Sequence, residues 1–171
     1  LLDSVDAVLA WLSSNGHTID YVAVTNPEDR ASGRSQKSSL FASVYAAYRG
    51  GITIPVELGL PTEVVLDGAL HPVVSVLSSH YETLGSAPEY LAIVGAHDSL
   101  PQTRKPSIFD NPVAEHPVSD LPYGELDEDP FLDIAIGRVV GDTVFELSNL
   151  AARTVNSVSY THLRAHETFG Y

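Results

Sequence analysis

The sequence predicts a three-layer α/β fold, a mostly parallel sheet of about four strands with helices on both faces. Three observations predict it. Four short runs are almost wholly apolar and rich in β-branched or aromatic residues: Tyr21–Thr25, Ile52–Val56, Tyr90–Val94 and Ile134–Ile136. The segments around them carry apolar residues every three to four positions, the period of a helix packed on one face. The two kinds of segment alternate, as they must when parallel strands are joined by crossover helices and buried on both faces.

Leu2, Val5, Val8, Leu9 and Leu12 open the chain at helical spacing, and Gly16 stands where a helix end is expected. The strand Tyr21–Thr25 stops at Asn26-Pro27, and polar residues 28–39 read as a loop. Leu40, Phe41, Val44, Tyr45 and Tyr48 mark a second helix closed by Gly50-Gly51. Pro55 lacks an amide hydrogen, so the next strand belongs at a sheet edge or near a strand end. Val73, Leu77, Tyr81 and Leu84 share one face of a helix expected from about Gly68 to Leu84. Tyr90–Val94 then forms the clearest buried strand, ending at Gly95. Residues 96–132 hold six of the eleven prolines, and a short hairpin is expected near Tyr123. The fourth strand closes at Gly137-Arg138. A last helix follows, with Thr143 and Glu146 at capping-box spacing and Val144, Leu147, Ala151, Val155 and Val158 in period.

Nine basic against twenty-two acidic residues give a net charge of -13 in 171 residues. Such a surface repels nucleic-acid backbones and anionic membranes, which argues against both as partners. No apolar run approaches the roughly 18 residues needed to cross a bilayer. The chain has no cysteine, so these residues offer no disulfide, thiolate metal site or cysteine nucleophile. It also has no methionine and starts inside a periodic helix, which marks it as a processed or truncated piece. Residues 1–156 are expected to form one α/β subdomain. Residues 157–171 read as a non-native tail, because Ser157 to Thr168 resembles translated sequencing-adapter text found at the ends of environmental reading frames. His162 and His166 in that tail sit four apart, but they lack a third ligand.

In an open parallel sheet, ligands bind beyond the carboxyl ends of the strands. Those ends offer Thr25, Asn26, Glu57, Gly95 to Asp98, and Gly137-Arg138. His97 and Asp98 are the pair with proton-transfer chemistry, set against the simpler reading of a loop histidine bonded to nearby backbone. No Gly-x-Ser-x-Gly, G-x-G-x-x-G or phosphate-binding loop string occurs. From Glu115 to Asp133 lie seven carboxylates and no Lys or Arg. Asp127, Asp129 and Asp133, spaced 1, 3 and 7, could converge on a hard cation such as calcium. The alternative is a solvated acidic loop whose repulsion is relieved by Arg138 or bulk ions.

Three strings in order carry a resemblance: Tyr90-Leu-Ala-Ile-Val-Gly95 with Leu100-Pro101, then Ser119-Asp120-Leu-Pro-Tyr123 with its acidic turn, then Asp133-Ile-Ala-Ile-Gly-Arg138 before a helix ending at Asn156. Together they resemble the gingipain-type cysteine peptidases of family C25, in the first half of their caspase-like catalytic domain. Ala96 departs from the acidic residue that relatives often carry after Val-Gly. The resemblance implies an extracellular or envelope-associated parent acting on peptides or proteins, with calcium as a structural cofactor. It also implies a catalytic His and Cys downstream of the matched segment, in a second half of the domain. No catalytic residue carries over, and the fragment would be inactive alone. A non-catalytic envelope binding or structural module, and a small-molecule binder using the strand ends, are the competing readings.

Overall fold

The computed structural model describes residues 4–30, 37–59, 63–66, 68–104, 118–127 and 131–154. Helix α1 (Val5–Ser14) is started by Ser4, whose hydroxyl accepts the Ala7 amide at 3.2 Å. Strand β1 (Tyr21–Thr25), a single 3₁₀ turn (Pro27–Arg30), helix α2 (Ser39–Tyr48) and strand β2 (Ile52–Pro55) follow. Next come β3 (Val65–Leu66), α3 (Pro72–Leu84), β4 (Tyr90–Val94), β5 (Thr103–Arg104) and β6 (Val118–Ser119). A second 3₁₀ turn (Leu121–Tyr123), β7 (Ala135–Val139) and helix α4 over 144–154 complete the described chain.

The main sheet has the order β2-β1-β4-β7, and every pairing in it is parallel. All four expected strands are therefore present, and the three-layer α/β reading is borne out. β2 is an edge strand and Pro55 is its last residue, so both places open to a residue without an amide hydrogen coincide here. Alternate residues face opposite layers. Val22, Val24, Ile54, Leu91 and Ile93 pack with Leu9 of α1 and Val73, Leu77, Tyr81 and Leu84 of α3. Ala23, Ala92 and Val94 pack with Ala42, Tyr45 and Ala46 of α2 and Ala151 of α4. Small residues on this second face let α2 sit close to the sheet.

Four expectations shift. Helix α3 begins at Pro72, not near Gly68, because His71 caps it and Pro72 takes the first helical position, where its missing amide costs nothing. Strand β7 runs through Gly137-Arg138 to Val139, since its ladder with β4 continues to Val94. The expected hairpin near Tyr123 is wider than predicted. β5 and β6 pair antiparallel and β3 pairs parallel with β5, making a small second sheet, while Tyr123 sits in the 3₁₀ turn that follows. In the capping box of α4, Thr143 accepts the Glu146 amide at 3.2 Å, but Glu146 returns to the amide of Asp142, at 2.8 Å. The tail from 157, its histidine pair and the boundary at 156 lie outside the described residues.

Candidate functional site

The sheet order reverses direction between β1 and β4, since the chain leaves β1 for β2 on one side and adds β7 beyond β4 on the other. A ligand crevice is expected outside the carboxyl ends of those two strands. Their polar side chains are spent internally. Thr25, 3% exposed, donates its hydroxyl to the Val94 carbonyl at 2.9 Å. Asn26 is fully buried; its Nδ2 donates to the Ser99 carbonyl at 3.0 Å and its Oδ1 accepts the Glu28 amide at 3.0 Å. Thr25 ties the last residue of β4, and Asn26 the turn after it, to the end of β1.

Next to this crevice, the three motif strings meet. Arg138 projects from β7 and grips Asp120 with two parallel bonds, Nε to Oδ2 at 2.9 Å and Nη2 to Oδ1 at 2.6 Å. Its Nη1 donates to the carbonyls of Gly95 at 2.7 Å and Leu100 at 3.0 Å. One guanidinium thus joins the loop after β4, the residue before the Leu121–Tyr123 turn, and β7. The fork geometry suits a planar, always charged group and no lysine could reproduce it. The Tyr123 ring lies 5.9 Å from the guanidinium carbon, and its hydroxyl donates to the Pro101 carbonyl at 2.8 Å. Tyr123 is 1% exposed, and burial pushes its phenol well above the ordinary range.

His71 completes the arrangement from the other side. Its Nδ1 accepts the Val74 amide at 3.3 Å, which leaves Nε2 to carry the proton and donate to Pro101, at 3.2 Å. Its ring meets Tyr123 edge-on at 4.7 Å. Burial lowers its affinity for a second proton, and Arg138 adds to that effect. Sequence reasoning missed His71. The only available signal was the His-Pro step before an apolar period, which marks a helix start.

Of the predicted site residues, Asp127 and Asp133 are exposed, and Asp133 Oδ2 accepts the Leu126 amide at 2.8 Å, closing the loop on itself. Asp129 lies outside the described residues. Among the described residues, no group of three His, Cys, Asp or Glu side chains is placed to hold a metal. His97 is exposed and Asp98 half-buried on the turn after β4. Elsewhere in the acidic run, Asp120 pairs with Arg138.

The structure is thus an α/β domain with an all-parallel main sheet whose strand-end loops are tied together by their own side chains. The model of peptidase family C25 matches residues 14–168, from the end of α1 through all four strands of the main sheet and beyond α4, and the chain belongs to that family. The gingipain-type resemblance of the three strings is borne out. No curated protein matches the chain, and no solved structure does. No helix among the described residues is long and apolar enough to cross a membrane.

Proposed function

We propose that this chain is the scaffold subdomain of a gingipain-like cysteine endopeptidase, with the catalytic His and Cys supplied from outside these residues. The observation that carries this reading is the combination of family membership with a chain of 171 residues that has no cysteine. A thiolate attack on a peptide carbonyl, with His as acid and base, needs a sulfur this segment does not contain. The Arg138 and Tyr123 ties support a supporting role, because they hold three strand-end segments in one arrangement. Gingipain-type peptidases are generally secreted or surface proteins, and the parent would act on protein substrates there.

The purified chain, assayed on a fluorogenic peptide library with reducing agent, is expected to show no hydrolysis. Extending it to a downstream His and Cys is expected to create activity that iodoacetamide abolishes. Hydrolysis by the chain alone would sink this reading. A longer chain that never gains thiol-dependent activity would favour the non-catalytic envelope module.

Calcium belongs to the same proposal. The supporting feature is the run of carboxylates at Asp127, Asp129 and Asp133, oxygen donors of the kind calcium prefers. A cation that binds only the folded chain raises its unfolding midpoint. Millimolar calcium should therefore raise the midpoint of the wild type and not that of the double variant Asp127→Asn/Asp129→Asn. An unchanged wild-type midpoint would remove calcium from the proposal.

A further inference from the structure

Histidine is an unusual helix cap, and His71 does more than cap. Its two ring nitrogens are committed in opposite senses: Nδ1 accepts from Val74 in the first turn of α3, while Nε2 donates to the Pro101 carbonyl in the loop after β4. Pro101 also receives the Tyr123 hydroxyl, so its oxygen is a three-way junction between α3, that loop and the Leu121–Tyr123 turn. We propose that His71 is a latch set by pH: uncharged, it holds the start of α3 to the strand-end loops, and on protonation it lets them part.

The chemistry is specific to the tautomer. A second proton can enter only at Nδ1, the atom that accepts the Val74 amide. Two N–H groups would then face each other, the cap would be lost, and a first-turn amide of α3 would lack its acceptor. The new charge would also stand at the positive end of the helix dipole, in a side chain 6% exposed. The groups facing the ring are Tyr123 from the 3₁₀ turn, Arg138 from β7 and Asp120 before the turn; the first turn of α3 holds no acidic residue. Asp120 favours the charged ring, but its two oxygens already serve Arg138. Burial and Arg138 oppose the charge, and the net direction is a lowered pKa.

The sign follows from linkage. In the open state the ring titrates near its ordinary value of about 6.5. A lowered value in the closed state means that closure is fully favoured above that pH and weakens as pH falls towards the closed-state value. Across that window the closed-to-open ratio drops about tenfold per pH unit for one proton. Arg138 still holds the Gly95 and Leu100 carbonyls in acid, so the sheet stays intact while the Pro101 junction opens.

The test follows the imidazole nitrogens and the backbone amides of the full chain by NMR from pH 8 to pH 5. His71 should be the Nε2–H tautomer at neutral pH and titrate below about 6.5. After correction for intrinsic exchange, the amides of Val74, Leu121 and Tyr123 should lose protection by about tenfold per pH unit. Amides of β1 and β4 should not. His71→Asn supplies a cap oxygen that does not titrate, and it should abolish the acid-dependent loss. The latch is overturned if His71 titrates at or above its ordinary value, if His71→Asn keeps the loss, or if sheet amides lose protection in step. Should the Asn variant fail to fold, the ring titration and the amide pattern of the unmodified chain decide the matter.

Discussion

Replacing Arg138 with methionine is expected to lower the unfolding free energy by about 3 kcal/mol, the lower end of the cost of stranding one partner of a buried ion pair. Methionine keeps the apolar stem but none of the donors. Asp120 is left as an uncompensated carboxylate, and the carbonyls of Gly95 and Leu100 lose their Nη1 donor. The lower end applies because the Arg138 and Asp120 side chains are 12% and 19% exposed, so water reaches part of the stranded charge. Urea unfolding measures the loss. Asp120→Leu in the same background should recover part of it, since the second change removes the stranded charge, and the non-additivity in a double-mutant cycle isolates the pair. A loss within about 0.5 kcal/mol, ordinary for a surface substitution, would mean that the hub does not hold the loops.

The main sheet was legible because each strand is a short apolar run too brief for a helix and bounded by Gly or Pro. Pro55, which lacks an amide hydrogen, pointed to a sheet edge or a strand end, and it stands at both. The hub was legible as text but not as a contact. Asp120 stood in an acidic run and Arg138 at an apparent strand end, eighteen residues apart. Their meeting depends on β7 continuing past Gly137, which is decided by its ladder with β4 and not by any local pattern. The small sheet of β3, β5 and β6 escaped because strands of two residues are too short to show a period. The carboxylate spacing was plain, yet spacing does not say where oxygens point; Asp133 turns one of its own to Leu126. His71 was invisible because one histidine in an apolar region looks the same whether it is a latch or filler.

Gly51→Ala is expected to cost as much as the loss of Arg138, about 3 kcal/mol, or roughly 6–12 °C in the melting midpoint for a chain of this size. The reason lies in the crossing of β2 and β1. A Cβ added at Gly51 would stand 2.0 Å from the carbonyl oxygen of Tyr21 and 2.8 Å from its carbonyl carbon. These are backbone atoms at the start of a central strand, so no rotamer change relieves the overlap. Relief requires sliding β2 away from β1 at the first rung of their ladder, where Val22 pairs with Ile52. The neighbouring Gly50 separates this effect from the general cost of losing a glycine. It has φ +67° and open space around it, so Gly50→Ala pays only the left-handed backbone penalty of about 1–2 kcal/mol. The ordering of the two adjacent variants is therefore the sharper measurement. Gly51→Ala should be the worse, although the dihedral at Gly50 is the more restrictive, because contact with a strand that cannot move outweighs a local torsion. The reverse order would mean that β2 leaves the turn at another register, and the edge position of Pro55 would have to be reassigned with it.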